Sequence, residues 1–261
     1  EWKKGESIEY EAFEDYWGGV APIKHVIWKV IPEGSSRTMA LETGEVDLVV
    51  DVETTDLTRL MEDPDLEVFN EAGTTHQWMM VNNEIAPFNN ADFRRAIASA
   101  IDKEAVIQVS LQGTGSVSDS MLPGCFNGVT DTGAMTYDVE KAKEYFAASG
   151  LDPADCGFAI ICSDDMKLRQ GQVIQSCLKE NLGIETTLES MDLATYLDVT
   201  ATGDYQAAIG NYTASSVLAF SQGVYHSMSI NGSNKTRLNN PEIDALIEKV
   251  QATLDPGEIG R

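Results

Sequence analysis

An α/β protein built around an open, parallel sheet is the fold this sequence predicts, and three observations predict it. From residue 138 onward, strand and helix text alternates as β-α-β-α-β, the signature of a parallel sheet. Helix-length segments carry apolar residues at helical spacing, as in Phe93, Ala96, Ile97, Ala100 and Ile101. With 261 residues and 43% hydrophobic content, the chain can core one large domain or two ordinary ones.

In chain order, residues 7–13 and 24–31 read as strands. The segment "SSRTMALETGEVDLVV" predicts a helix capped by Ser35 or Ser36 and stopped by Gly44, then a buried strand from Val46 to Val50. Residues 55–62 predict a short helix, and 66–70 and 75–82 predict strands. Asn90 is placed to cap the helix carrying Phe93 to Ile101, and Asp102 to cap a second helix ending near Leu111. Residues 111–135, rich in Gly and Ser and without period, predict a long irregular connection of the kind that is functional or crosses between domains. A helix over 138–150 stopped by Gly150, the strand "FAIIC" and a helix over 166–182 follow. Then come a strand over 183–190, a helix over 192–201, the strand "YQAAIGN" and a last helix from Pro241 to Thr253. A domain boundary is expected near residue 109. Both ends of the chain read as interior text, so the expectation is a piece of a longer protein.

The formal charge of −24 argues against nucleic acid and anionic lipid as partners, because both need a basic face. No apolar run is long enough to span a bilayer. The three histidines, His25, His76 and His226, lie far apart and carry no metal spacing. Neither Gly-x-Ser-x-Gly nor a phosphate loop is present, so no residue is assigned a catalytic or metal-ligating role and no cofactor is expected. Asp164-Asp165 sits at a strand end, where α/β proteins place ligands, and equally where a helix is capped. The four cysteines, Cys125, Cys156, Cys162 and Cys177, fit either two disulfides in an exported protein or four buried thiols. If bridges form, Cys156–Cys177 is feasible and Cys162–Cys177 too long, which leaves Cys125 to pair with Cys162 or both to stay reduced.

Several motifs in order carry a resemblance: "DYWGG", "SSRTMALETGEVDL", "VNNEIAPFNNADFRRAIASAID", "YDVEKAKEYFAASG" and "NNPEIDALIEKV". Together they span essentially the whole chain, which resembles the family 5 extracellular solute-binding proteins, the oligopeptide- and dipeptide-binding subunits of ABC importers. The resemblance implies a two-lobed, periplasmic-binding-protein type II-like α/β fold. Residues 1–108 would be the middle segment of a discontinuous first lobe, and 109–261 most of the second. It further implies a monomer that is no enzyme, exported to the periplasm or the outer face of the membrane. Such a protein captures oligopeptides or another polar solute and passes them to an ABC permease. A ligand sensor or adhesin on the same fold is the alternative. The export or lipoprotein signal would lie outside this chain.

By the family's pattern, ligand contacts come from four places. Met80 and Asn82 lie on the strand before Pro87, where one would face the cleft and the other cap the turn. Ser116 and Ser118 belong to the irregular segment, which would line the cleft or merely cross over. Asp165 and Lys167 follow "FAIIC", where capping competes with binding. Asn211, Tyr212, Thr213 and Ser215 lie in "GNYTASS", the most ligand-proximal loop. There Ala214 stands where peptide binders carry the aspartate that pairs with the ligand's amino group, and Asn211 replaces their tryptophan. Either another acid such as Asp165 substitutes, or the ligand lacks a free amine at that end. Arg94 and Arg95 are expected to make surface or interlobe contacts.

Overall fold

The chain forms two units in the computed structural model, Glu1–Phe69 and Asn70–Arg261. All residues are described except Ala72, Asn127, Gly128, Thr130, Asp131 and 254–261. The boundary expected near residue 109 falls inside the second unit, whose helices before and after that point pack together.

The first unit holds an antiparallel meander of β1 (Trp2–Lys3), β2 (Ser7–Glu11) and β3 (His25–Lys29), followed by α1 (Gly34–Glu42) and α2 (Thr54–Met61). Helix α1 starts one residue before the expected caps. Ser35 therefore lies in its first turn and donates to Glu33 Oε2 at 2.9 Å. Gly44 ends it as expected, in a left-handed conformation (φ 71°) that costs glycine little. The strand expected over Val46–Val50 is absent, as is the one over 66–70. A strand exists only where a neighbour accepts its ladder bonds, and neither segment pairs with the meander. Arg37 ties this unit's loops instead, donating to the carbonyls of Ile31, Pro32 and Asp51.

The second unit contains β4 (Thr75–Val81), α3 (Ala91–Ala100), α4 (Lys103–Leu111), α5 (Val139–Ser149), β5 (Phe158–Cys162) and α6 (Asp165–Leu182). The elements β6 (Thr186–Ser190), α7 (Leu193–Thr202), β7 (Ala207–Thr213), α8 (Val217–Val224) and α9 (Pro241–Ala252) complete it. Its sheet runs β4-β7-β5-β6, with β7, β5 and β6 parallel and β4 antiparallel at the edge. This is the predicted alternation, with one antiparallel strand added. Strand β5 is buried on both faces, so its apolar run is continuous. Phe158, Ile160 and Cys162 join the core under α3, α5 and α6, while Ile161 faces Tyr196 and Tyr205 on the opposite side.

The segment "VNNEIAPFNN" anchors this core. Phe88 is fully buried, edge-on to Phe93 at 5.4 Å and to Phe158 at 4.8 Å. Asn90 caps α3 as expected, accepting from the backbone N–H of Asp92 and Phe93. Arg94 donates to the Phe88 carbonyl, and Arg95 pairs with Asp92 on the surface. Asn82 is buried: its amide donates to the carbonyls of Gly203 (2.9 Å) and Tyr205 (3.3 Å), and its oxygen accepts from Glu84 N–H.

All four cysteines are thiols, so neither expected bridge forms. Cys156 and Cys162 act as small apolar core groups, and the Cys162 thiol points to the Lys167 carbonyl at 3.5 Å. Burial, helped by Asp164 and opposed by Lys167, pushes the Cys162 pKa up to about 11. Burial also raises Cys156 and Cys177, so these three thiols are protonated and inert at neutral pH.

Two predictions follow from this packing. Iodoacetamide should label only the exposed Cys125 in the native protein, and all four cysteines after denaturation without reductant; a crosslinked pair in a non-reducing peptide map would contradict the thiol assignment. Asn82→Ala leaves two carbonyls and one N–H without their partner. It should cost roughly 2–4 kcal/mol in urea denaturation, and an unchanged midpoint would show that the side chain does not hold the turn.

Candidate functional site

A cavity of about 730 Å³ opens in the second unit. It lies where the carboxyl ends of β5 and β7 meet the face of α7, and the carboxyl ends of parallel strands are where open α/β sheets bind ligands. Each wall has a local cause. On β4 the two-residue period puts Trp78 and Met80 on one face, opposite Gly210 and Ala208 of β7. On α7 the residues Leu193, Tyr196, Leu197 and Thr200, spaced at helical intervals, line the cavity. Asp192 starts that helix by accepting from the N–H of Ala194 and Thr195.

Gly210 lets these side chains approach closely: a Cβ would displace the Met80 methyl and come within 2.8 Å of its sulfur and 3.0 Å of the Tyr196 hydroxyl. Without it, Tyr196 reaches the β7 backbone and donates to the Ile209 carbonyl at 2.8 Å. Tyr212 lies edge-on to the buried Phe220 of α8 at 5.7 Å, and Trp78 and His76 touch the same ring. Burial holds His76 below its ordinary pKa, so it is neutral at pH 7.

The polar end of the cavity is built by the turn after β5. Asp164 caps α6, accepting from Lys167 N–H at 2.9 Å. Lys167 Nζ, nearly buried, donates to Asp164 Oδ2 at 2.7 Å and Ser163 Oγ at 2.9 Å, and lies 5.8 Å from the centre of the Tyr196 ring. Burial would raise the Asp164 carboxyl. The hydrogen bonds from the Lys167 ammonium and backbone outweigh it and hold the group below its ordinary range. Lys235 contributes a second ammonium to the wall.

Of the residues expected from sequence, Met80, Lys167, Asn211 and Tyr212 line this cavity. The other six do not. Asn82 serves its turn. Thr213 shares a hydroxyl hydrogen bond with Thr75 at 2.7 Å. Ser215 is exposed beyond β7, and Asp165 is the first residue of α6, where the capping role fell to Asp164. Ser116 is exposed and Ser118 half-buried in the irregular segment, which Lys103 holds by pairing with Asp119 at 3.0 Å. Trp78, Tyr196 and Lys235 were not among the expected residues. The first could have been read from its period-two relation to Met80 and the second from the helical spacing on α7, whereas nothing in "NGSNKTRLNN" marks Lys235.

The second unit is thus an α/β unit with an aromatic-walled cavity at its strand ends. Residues 1–232 match the family model "Bacterial extracellular solute-binding proteins, family 5 Middle", and the chain belongs to that family. It is 28% identical over 257 residues to heme-binding protein A of Haemophilus influenzae, covering 95% of this chain and 47% of that protein. It is 28% identical over 259 residues to the probable D,D-dipeptide-binding periplasmic protein DdpA of Escherichia coli, covering 97% and 50%. Among solved structures it matches the periplasmic binding protein DppA of Helicobacter pylori in complex with the peptide STSA. That match has a TM-score of 0.87 and 25% identity, covering all of this chain and 52% of that one. The fold is thus that of periplasmic solute-binding proteins, and the chain spans about half the length of these relatives. No helix among the described residues is long and apolar enough to cross a membrane.

The coupling of Asp164 to Lys167 gives a pH prediction. A carboxyl whose folded pKa is depressed adds stability above its unfolded pKa, and that stability is lost as pH falls through the folded value. In Lys167→Met, burial acts on Asp164 without the ammonium, so its pKa should rise relative to wild type in a carboxyl NMR titration. An unmoved titration would show that the pair is not coupled.

Proposed function

We propose that this chain is part of the solute-binding subunit of an ABC importer, exported to the periplasm or the outer face of the membrane. It binds without turning its ligand over. The observation that carries the reading is the 730 Å³ cavity of Trp78, Tyr196, Tyr212 and the Lys167–Asp164 pair, in a chain of this family. Three aromatic side chains supply large rigid contact area, and a small set of fixed polar groups orients the ligand. The relatives' names specify heme and dipeptides, so membership alone does not fix the solute. Oligopeptides or a related polar solute fit an open cavity with neutral donors at Asn211 and Tyr212. In this reading the chain carries part of one lobe and most of the other in a longer two-lobed protein, and an ABC permease receives the solute.

Mass spectrometry of what co-purifies with the complete protein identifies the ligand, and reconstitution with a partner ABC permease tests transport. Trp78→Ala and Tyr212→Ala should each weaken binding by about tenfold or more, as loss of a buried aromatic anchor does. Unchanged affinity in both would remove this cavity from the function. Because binding between lobes buries the ligand from two sides, the 261-residue chain alone should bind far more weakly than the complete protein. Calorimetry giving equal affinities would contradict the two-lobed reading.

A further inference from the structure

The cavity beside β7 carries more positive than negative charge, although the chain as a whole carries −24. Its charged lining is two lysines, Lys167 and Lys235, against one aspartate, Asp164. Lys167 and Asp164 satisfy each other at 2.7 Å. Lys235 differs. Its Nζ has one acceptor, the Leu197 carbonyl at 3.4 Å, a distance at which a hydrogen bond is weak, and it makes no ion pair among the described residues. Lys235 is half-buried, and partial burial lowers its pKa from the ordinary lysine value. Nor does the cavity offer a free acid to a ligand's amino group. Ala214 packs against the Phe220 cluster, Asp165 is not in the lining, and Asp164 is already paired.

We propose that Lys235 is the specificity-determining residue of this cavity, selecting a solute that carries a carboxylate and no free ammonium at the end it faces. An N-acylated peptide with a free C-terminus is one such compound. The carboxylate would complete the coordination of Lys235 while the rest of the solute lies along Trp78 and Tyr212. Electrostatic complementarity of this kind serves specificity more than raw affinity. The proposal rests on the cavity being the ligand site.

The test uses the complete protein and three named probes: N-acetyl-tetra-alanine, its C-terminal amide, and tetra-alanine amide with a free amino group. Binding is followed by calorimetry, and its location by hydrogen exchange at β4 and β7. The acetylated acid should bind about tenfold tighter than its amide, with the ratio shrinking at high salt, as for a charge-assisted hydrogen bond. Lys235→Met should abolish that ratio and Lys235→Arg retain it. Both variants keep the backbone carbonyl of residue 235, which accepts from Tyr205. Equal binding of acid and amide, a ratio that survives Lys235→Met, or a preference for the free amine would overturn the proposal and leave the cavity as the ligand site. Failure of all three probes to protect β4 or β7 would overturn both.

Discussion

The pairing of β4 with β7 is the contact on which the second unit depends. It joins segments 138 residues apart at Thr75 and Thr213, and its register places Trp78 against Gly210 and Met80 against Ala208. Closing so long a loop has an entropic cost that rises only slowly with length, and the buried strand faces offset it. Because Gly210 has no side chain, Met80 and Tyr196 close on the β7 backbone. The walls from β4, α7 and β7 therefore meet at one place. At the other end of β4, Asn82 locks the strand to the turn before β7 through Gly203 and Tyr205. A single pairing thus fixes both the frame and the cavity.

How much of this the sequence reveals depends on the range of the interaction involved. The helices flanking β5, β6 and β7 carry their own start signals, and Asp164, Asp192 and Asn240 each accept the backbone bonds expected of a cap. Their positions are legible for that reason. The segment Val46–Val50 has strand composition but no ladder partner among the described residues, and partnership is not a local property. Helix α8 was not read, although Ser216 caps it, because "SVLAFSQGV" follows the ligand-proximal loop without a break. In the site, Met80, Lys167, Asn211 and Tyr212 were accessible through the family pattern, whereas Lys235 reaches the cavity from a loop with no periodic signal. The cysteines show the same limit. Composition allows bridges or thiols, and sequence alone does not choose between them; in the structure all four cysteines are free thiols.

The acidic surface and the positively charged cavity have separate roles. A net charge of −24 keeps the chain solvated and says nothing about one cleft. Inside it, Asp164 and Lys167 pair and fix the turn after β5, and under the proposal Lys235 is the group whose charge a ligand answers. Under the proposed function, the acid that the family resemblance leads one to expect at Ala214 is missing, and that is the reason for proposing a different ligand.

The most direct test is a crystal structure of the complete protein with its co-purified ligand in place. The account predicts ligand density between the Trp78 and Tyr212 rings, with an anionic oxygen within hydrogen-bond distance of Lys235 Nζ. Density elsewhere, with this cavity filled only by water, would contradict it.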